Sequence, residues 1–283
     1  MKKAASFALG CKVNQYESEA IAELFAEKGY EIVGIDEEAD VYVINTCTVT
    51  NFGDKKSRQL IRKVKRQNEN AIVAVVGCYA QTAPKELMEI AGVNLVIGTK
   101  DRAQIVEMVE QYDRANGVEN HVSDIMKERV FEPLSIQKLA NRTRAYLKIQ
   151  DGCSQYCSYC IIPYARGPIR SREPQEVVAE VKRLAENGFK EVVLTGIHVA
   201  SYGKDRRDTS LLDILKQVHE VEGIERIRFS SIEPNVVTEE FAQTMAALPK
   251  VCDHFHLSLQ SGCDETLERM NRRYRSGEYR ERC

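Results

Sequence analysis

Short runs of apolar and β-branched residues alternate with stretches of helical periodicity over the first 112 residues of the chain. Predicted strands cover residues 6–10, 41–46, 72–77 and 95–98, with a weaker one at 31–35. Apolar residues recur at helical spacing over residues 17–28, 55–67, 84–90 and 102–112. Strands that alternate with helices are typical of βα units around a parallel sheet. The pattern therefore predicts an α/β fold with a small doubly wound parallel sheet in the N-terminal domain.

The alternation stops after residue 112 and resumes near residue 144. Further strands are predicted at residues 145–150, 191–196, 226–231 and 254–260. Helices are predicted between them, at residues 175–187, 210–220 and 239–248. Repeated strand–helix–strand units in one direction build a (β/α) barrel, whose chemistry lies at the C-terminal ends of its strands. We expect an N-terminal domain at 1–114, a linker at 115–142 and an incomplete barrel at 143–283, which would make the chain a fragment of a longer protein.

The composition is that of a soluble globular protein, with 43% hydrophobic and 29% charged residues. A formal net charge of −2 excludes a polycation, so a nucleic-acid partner would have to bind a local basic patch. No apolar run reaches the ~18 residues that span a bilayer, so no membrane association is predicted. Nine cysteines without a secretory signal indicate a reducing compartment, and thiols that bind metal or react. We therefore expect a cytoplasmic protein.

Cys11, Cys47 and Cys78 each follow the end of a predicted strand. Because parallel strands end at the same edge of a sheet, the three thiols would meet where α/β sheets place their ligands. Three thiolates suit an iron–sulfur cluster with one iron left free, or a zinc ion with an open fourth position. The alternative is that small buried residues happen to end these strands.

A second cysteine group, Cys153, Cys157 and Cys160, directly follows the predicted strand at 145–150. This spacing lets one loop bind three corners of a [4Fe-4S] cube and leaves the fourth iron without a protein ligand. A zinc finger would need a fourth ligand from another close pair, and the nearby sequence contains no second C-x-x-C or H-x-x-x-H. The spacing therefore favours a cluster over zinc. The remaining cysteines show no such spacing and are expected to be ordinary thiols: Cys252, Cys263 and Cys283.

The second group reads Cys-x-x-x-Cys-x-Tyr-Cys after the first strand of a βα series, which resembles the radical S-adenosylmethionine (SAM) signature. From residue 4 to its end, the chain is similar to the methylthiotransferases of that superfamily. Four further segments carry this resemblance: LGCKVNQYESE at 9–19, NTCTVT at 45–50, GCYAQ at 77–81 and IIPYARG at 161–167.

The resemblance implies two [4Fe-4S] clusters and SAM as cofactors. Cys11, Cys47 and Cys78 would bind an auxiliary cluster that supplies or carries sulfur, and the second cysteine group would bind the cluster that cleaves SAM. Tyr159 would lie against the adenine of SAM. Further SAM contacts are expected from residues at strand ends, namely Thr195, Gly196, Ser231, Glu233 and Gln260. The alternative is that these strand ends are only turns at the barrel rim.

The implied reaction replaces an unactivated C–H bond by C–S–CH3 and uses SAM twice, once for its methyl group and once to generate a radical. The segments GCKVNQYESE and AYLKIQDGC most resemble the branch that acts on C2 of N6-threonylcarbamoyladenosine, at position 37 beside the tRNA anticodon. The expected partners are tRNA and an external reductant such as flavodoxin or ferredoxin. The alternatives are isopentenyladenosine in tRNA, a ribosomal-protein aspartate, or a non-catalytic iron–sulfur protein.

Two groups of basic residues and one histidine pair are further candidates. The basic residues of the predicted helix 55–67 would either face solvent or contact RNA phosphates. They are Lys55, Lys56, Arg58, Arg62, Lys63, Lys65 and Arg66. A second group is expected to form an electropositive rim around the cysteine loop: Arg142, Arg144, Arg166, Arg170 and Arg172. His254 and His256 alternate on one predicted strand face, and a structural role inside the barrel is favoured over a metal pair.

Overall fold

A computed structural model of the chain describes residues 1–48, 51–136 and 144–283. The chain divides into two compact units. The first comprises Met1–Ile136 together with Tyr164–Gly167, and the second comprises Gln137–Pro163 together with Pro168–Cys283.

The first unit is built on a six-stranded parallel sheet in the order β2-β1-β3-β4-β5-β6. Its strands are β1 Lys3–Ala8, β2 Glu31–Ile32, β3 Val41–Thr46, β4 Ile72–Gly77, β5 Leu95–Ile97 and β6 Glu119–His121. Its helices are α1 Lys12–Glu27, α2 Asn51–Gln67, α3 Cys78–Thr82, α4 Pro84–Met88 and α5 Ile105–Gln111. Short 3-10 segments lie at Arg102–Gln104, Arg114–Asn116 and Ile125–Lys127.

Apolar side chains cover both faces of this sheet. On one face, Ile44 of β3 belongs to a core with Ile61 and Val64 of α2. On the other face, Val43 of β3 belongs to a core with Phe25 of α1. Because neighbouring residues of one strand point to opposite faces, a strand that is buried at every position, such as Val41–Thr46, requires helices on both sides. The helices supply that cover, which confirms the predicted doubly wound sheet.

Several boundaries in this unit differ from the prediction: β1 spans Lys3–Ala8 rather than residues 6–10, β2 is shorter than predicted, and α2 begins at Asn51 rather than at residue 55. Helix α1 begins at Lys12 rather than near residue 17, because Cys11 already adopts the extended conformation of a helix N-cap. Strand β6 lies inside the predicted linker and pairs with β5. At three residues it is too short to show a periodicity in the sequence. The boundaries proposed for the two domains remain predictions.

The second unit contains a four-stranded sheet in the order β10-β9-β7-β8. Its strands are β7 Ala145–Asp151, β8 Arg170–Ser171, β9 Glu191–Gly196 and β10 Arg226–Phe229. Strands β7, β9 and β10 are parallel, and β8 is antiparallel to β7. The helices from this part of the chain onward are α6 Ile162–Arg166, α7 Pro174–Glu186, α8 Leu211–His219, α9 Glu239–Ala247, α10 Asp264–Arg269 and α11 Ser276–Arg282.

The predicted strand at 254–260 is wrong. Only two single parallel bridges form alongside β10 and its extension, Ile227 with Val251 and Ile232 with Leu257. Strand β10 has only four residues and ends at Phe229, so no continuous ladder is available to the later segment. His254 and His256 are both exposed, so their predicted place inside the barrel is also wrong. Across the described ranges, no helix is long and apolar enough to cross a membrane.

Candidate functional site

The first cysteine trio lies at the carboxyl ends of three neighbouring strands. Cys47 directly follows β3, and Cys78 directly follows β4 as the first residue of α3. Cys11 lies three residues beyond β1, where it caps α1. Strand β1 pairs with β3, and β3 pairs with β4. The fold therefore carries all three cysteines to one edge of the sheet.

Two glycines with left-handed backbone conformations allow the chain to close around this edge. Gly10 has φ of +97°, and a Cβ atom built on it would lie 2.7 Å from Sγ of Cys47. Gly77 has φ of +96°, and its Cβ would lie 2.4 Å from Oδ1 of Asn45. Any larger residue would be strained and would collide with its neighbour at either position. Packing and backbone conformation therefore require glycine directly before Cys11 and directly before Cys78.

Asn14 joins the strand ends that carry the cysteines. Its Nδ2 donates to the carbonyls of Leu9, at 2.8 Å, and Thr46, at 2.9 Å. Its Oδ1 accepts from the thiol of Cys11 at 3.6 Å. Asn14 is fully buried, so these bonds are shielded from water. They fix the loop before Cys11 against the residue before Cys47.

Arg166 donates directly to one thiol of the trio. Its Nε lies 3.1 Å from Sγ of Cys78, and its guanidinium bonds both carboxylate oxygens of Glu17, at 2.5 and 3.1 Å. Nη2 also donates to Oδ1 of Asn14 at 2.6 Å. Burial raises the pKa of the Cys78 thiol, and the Arg166 charge opposes part of that rise. Glu17 also forms a salt bridge with a second buried arginine, Arg102, at 2.6 Å.

The expected electropositive rim is wrong for three of its five arginines, because they are buried and paired. Arg166 is held as described above. In the second unit, Arg170 lies 3.7 Å from Asp151, and Arg172 lies 2.6 Å from Glu180. Arg144 is half-exposed, and Arg142 falls outside the described residues.

The second trio lies on the loop that follows β7. The amide of Cys160 donates to the carbonyl of Cys157 at 3.0 Å, which closes a tight turn. Burial raises the pKa of Cys153 to about 11, and the nearby thiols of Cys160 and Cys157 add to the rise. The loop therefore carries all three cysteines within eight consecutive residues, 153–160.

Residues 269–272 brace this loop. The amide of Ser158 donates to the carbonyl of Met270 at 3.1 Å, and Nδ2 of Asn271 donates to the carbonyl of Tyr156 at 2.9 Å. Nη1 of Arg272 donates to Sγ of Cys157 at 3.1 Å. Sequence reasoning missed Arg272, because an arginine about a hundred residues from the cysteines carries no spacing signal.

Glu233 lies beside the same loop and is the centre of a polar cluster. It is 3.0 Å from Arg272, 3.2 Å from Nε2 of His198, and accepts from Gln155 at 3.2 Å. Burial raises the pKa of Glu233, but the contact with His198 and the charge of Arg272 outweigh it, so the pKa lies below its ordinary value. The carboxylate is therefore ionised at neutral pH.

The other predicted SAM contacts differ in exposure. Thr195 is buried, and Gly196 leaves no room for a Cβ because Oε1 of Gln150 would lie 2.7 Å away. Ser231 and Gln260 are exposed, and Gln260 adopts a left-handed φ of +66°. Tyr159 is 54% exposed, so its ring is accessible to a ligand. Their contacts with SAM remain predictions.

The donor set fits iron–sulfur clusters better than single metal ions. Within the described ranges, no three His, Cys, Asp or Glu side chains are placed to hold one metal ion. A zinc site would need every sulfur about 2.3 Å from one point. In a cube each thiolate binds a different iron, so the sulfurs stand farther apart. An arginine N–H on one sulfur of each trio suits the negative charge of cluster-bound thiolates.

Comparison with known proteins decides the family. Residues 3–98 match a family described as "Uncharacterized protein family UPF0004", and residues 147–283 match the radical SAM superfamily. The chain is 42% identical over 279 residues to "Threonylcarbamoyladenosine tRNA methylthiotransferase MtaB" of Aquifex aeolicus, which covers 99% of this chain and 68% of that relative. The chain belongs to the radical SAM methylthiotransferase family.

Two further relatives place the chain within this family. It is 50% identical over 275 residues to the protein of the same name in Bacillus subtilis, covering 97% of this chain and 61% of the relative. It is 36% identical over 279 residues to "tRNA-2-methylthio-N(6)-dimethylallyladenosine synthase" of Dictyoglomus thermophilum, covering 96% of this chain and 62% of that relative. The chain thus spans between 61% and 68% of the length of these relatives.

A solved structure shares the fold. The radical SAM methyltransferase TsrM of Kitasatospora setae, solved with tryptophan substrate and a SAM analogue, matches with a TM-score of 0.66. The match covers 99% of this chain and 64% of that chain, at 16% sequence identity. The expected α/β fold with a partial radical SAM barrel is therefore confirmed.

Proposed function

We propose that the chain is part of an enzyme that adds a methylthio group to C2 of N6-threonylcarbamoyladenosine at position 37 of tRNA. The observation that carries this proposal is the pair of cysteine trios, each with an arginine donating to one sulfur. The degree of relatedness supports the substrate, since identity is 50% and 42% to relatives named for threonylcarbamoyladenosine. It is 36% to the relative named for dimethylallyladenosine.

Two [4Fe-4S] clusters and SAM, when bound, would supply an electron, a means of abstracting hydrogen, sulfur and a methyl group. Cys153, Cys157 and Cys160 would hold the cluster that binds SAM, and Cys11, Cys47 and Cys78 would hold the auxiliary one. An external reductant such as flavodoxin or ferredoxin would deliver electrons in the cytoplasm.

The chain's own polar residues would bind and orient SAM. Glu233 carries an ionised carboxylate beside the second trio, and we infer that it accepts hydrogen bonds from SAM. Arg272 bonds both Glu233 and Cys157, so it would hold the carboxylate in a fixed position relative to the cysteine loop. Tyr159 offers an exposed ring for the adenine, and Thr195, Gly196, Ser231 and Gln260 are the remaining contacts that we propose.

Nucleoside mass spectrometry of tRNA tests the proposed function in cells. A strain that lacks the gene should lose the methylthio form of threonylcarbamoyladenosine and keep its dimethylallyladenosine derivatives unchanged. The intact gene should restore the lost nucleoside, and a gene with Cys153, Cys157 and Cys160 changed to Ala should not. Loss of methylthiolated dimethylallyladenosine instead would contradict the proposed substrate.

A biochemical assay separates an enzyme from a non-catalytic iron–sulfur protein. After anaerobic reconstitution with iron and sulfide, the chain should convert SAM to 5′-deoxyadenosine when dithionite is added. The Cys153, Cys157 and Cys160 triple Ala variant is the matched control. Clusters that assemble without any 5′-deoxyadenosine would support the non-catalytic alternative.

A further inference from the structure

Among the residues that the structure describes, Arg166 is one of the two largest fully buried side chains, yet it lies outside the continuous stretch Met1–Ile136 that forms most of the first unit. Residues Tyr164–Gly167 group with Met1–Ile136. Arg166 lies six residues after Cys160 in the sequence, within the stretch that follows the second cysteine trio. A buried guanidinium is costly unless it is fully paired. Its hydrogen-bond partners in the first unit therefore indicate the role of this arginine.

Two side chains, those of Glu17 and Asn14, hold the guanidinium so that Nε faces a cysteine sulfur. Nη1 and Nη2 of Arg166 donate to the carboxylate of Glu17, and Nη2 also donates to Oδ1 of Asn14. These bonds leave Nε directed at Sγ of Cys78, at 3.1 Å. Glu17 and Asn14 are both fully buried. The planar fork of arginine makes these bonds directional, which an ammonium group would not achieve.

The backbone around Arg166 is fixed relative to Cys78. Oγ1 of Thr99 donates to the carbonyl of Ala165 at 2.7 Å. The amide of Thr99 in turn donates at 3.0 Å to Oε1 of Gln81, which lies on α3, the helix that Cys78 begins. The arginine and the cysteine are thus connected both directly and through Gln81 and Thr99.

We propose that Arg166 is a positioning residue that sets the reduction potential of the cluster at Cys11, Cys47 and Cys78. The inference rests on the proposed function, which places a cluster at these cysteines. Hydrogen bonds to the cysteine sulfurs and nearby charge are among the factors that set iron–sulfur potentials. A charged N–H on Sγ of Cys78 stabilises the more negative, reduced cluster. Arg166 therefore makes the auxiliary cluster easier to reduce.

Arg102 provides a matched control, because it is the second fully buried arginine on Glu17. Its side chain is held between two carboxylates, Glu17 and Glu132. Changing Arg166 or Arg102 to Lys keeps the positive charge in either case. Only Arg166→Lys removes the Nε–H that Cys78 accepts.

The test uses the full 283-residue chain with Cys153, Cys157 and Cys160 changed to Ala, so that only the auxiliary cluster is present. After anaerobic reconstitution, iron content and an EPR-monitored redox titration are measured for this parent and its variants. In Arg166→Gln we expect the ratio of reduced to oxidised cluster at a fixed solution potential to fall about tenfold, which is 59 mV for one electron. Arg166→Lys should shift in the same direction by less, and Arg102→Lys should not shift.

A charge-neutral double variant covers the case in which Arg166→Gln fails to fold. Arg166→Gln with Glu17→Gln removes one positive and one negative buried charge, so the charge balance of the cluster shared with Arg102 and Glu132 is kept. It should retain about four irons per chain and show a lowered potential, by about as much as Arg166→Lys, because the hydrogen bond is lost while the net charge is kept. Pulsed ENDOR of the reduced parent should detect an exchangeable proton coupled to the cluster, and the Arg166 variants should lose it.

The possible results distinguish failure of the proposed function from failure of the inference about Arg166. A parent that assembles no cluster contradicts the proposed function itself. Iron-loaded Arg166 variants with an unchanged potential, or an Arg102→Lys shift as large as that of Arg166→Lys, would overturn the inference. Loss of iron from both Arg166→Gln and the double variant would assign Arg166 a purely structural role, which also overturns it.

Discussion

At the scale of single residues, the same kind of contact occurs in both cysteine trios. Arg166 donates to Cys78 and is held by Glu17 in the first unit. In the second unit Arg272 donates to Cys157 and is held by Glu233. Nearby positive charge stabilises a thiolate, and a buried arginine is costly without a paired carboxylate. The glutamates therefore belong to the sites, because each holds the arginine that donates to a cysteine sulfur.

Sequence reasoning found the six cysteines but neither of these arginine–glutamate pairs as such. Cysteine spacing is a strong signal, because three thiols within one loop, or after three successive strands, rarely occur together by chance. Glu17 and Arg166 are 149 positions apart, and only the folded chain brings them together. A run of basic residues near the cysteines predicts a charged surface, because sequence alone does not show which arginines have a buried carboxylate partner.

The first prediction concerns Glu233. Changing Glu233 to Gln keeps its shape but removes the charge that would accept hydrogen bonds from SAM. Since a hydrogen bond to a charged group contributes about 1.5–3 kcal/mol, SAM affinity of the reconstituted chain should fall by a factor of about 10 to 150. Equilibrium dialysis with labelled SAM measures it.

Glu191→Gln is the matched control for that variant. Glu191 begins β9 and also accepts from two arginines, Arg226 at 2.9 Å and Arg228 at 3.0 Å. It lies at the N-terminal end of its strand, away from the ends that carry the cysteine loop. Unchanged SAM affinity in Glu233→Gln, with iron content retained, would remove Glu233 from the proposed contacts.

The second prediction is a pH dependence. Lys100 donates to Glu128 at 2.6 Å, and this bond, opposed in part by burial, lowers the pKa of Glu128 to about 2. Because the folded pKa lies below the unfolded value, the stabilisation is present above about pH 4 and is lost as the pH falls toward 2. Lys100 is 39% exposed, so solvent screening limits the contribution to about 1 kcal/mol.

Urea unfolding followed by circular dichroism tests this effect. At pH 7, Glu128→Gln should lower the urea midpoint relative to the parent, and the two midpoints should converge as the pH approaches 2. Asp124→Asn is the control, because Asp124 forms a more exposed pair with Lys127 at 3.5 Å. A constant difference between Glu128→Gln and the parent at every pH would contradict the assignment.

At the scale of elements, prediction was accurate where both faces of a strand are covered. The predicted bounds of β3 and β4 match the structure, because both strands are buried along almost their whole length and each ends at the residue before a cysteine. The two-residue strand β8 was missed, since it is too short to show alternation. Residues 254–260 contain alternating apolar residues, but the strand they would pair with ends at Phe229.

Helix α2 carries exposed basic residues that could contact tRNA, and this contact can be tested by mutation. Ile61 and Val64 pack into the core of the first unit, whereas Arg62 and Arg66 are exposed on the outer side. If these arginines contact phosphates, Arg62→Glu with Arg66→Glu should weaken tRNA binding and reduce the slope of log K against log salt by about 2. Filter binding at several salt concentrations measures both quantities.

A charge-matched control variant distinguishes a direct contact between α2 and tRNA from a general effect of the protein's net charge. Lys182 and Lys216 are exposed on α7 and α8, so Lys182→Glu with Lys216→Glu changes the net charge by the same amount. Equal loss of affinity in the two double variants would mean that α2 is only a solvated face.

At the scale of the whole molecule, each cysteine trio lies within one structural unit. Cys11, Cys47 and Cys78 fall in Met1–Ile136, and the second trio falls in Gln137–Pro163. A cofactor that binds only the folded state stabilises the part of the chain that supplies its ligands. Cluster loss should therefore destabilise one unit more than the other, depending on which trio is changed.

The last prediction follows from this division. Changing Cys153, Cys157 and Cys160 to Ala should halve the iron content and abolish SAM cleavage. Changing Cys11, Cys47 and Cys78 to Ala should also halve the iron, but SAM cleavage should persist, because the cluster that binds SAM is intact. Anaerobic iron analysis and a 5′-deoxyadenosine assay distinguish the two variants.

Hydrogen exchange measured by mass spectrometry locates the accompanying loss of stability. The variant of the second trio should exchange about tenfold faster in β7 and β9 and keep the protection of β3 and β4, because the bound cluster no longer favours the folded second unit. The variant of the first trio should show the reverse. If the variant of the first trio kept its iron and its protection in β3 and β4, those three cysteines would not bind a cluster. If it stayed folded but lost SAM cleavage together with half of its iron, the proposed division of labour between the two trios would be wrong.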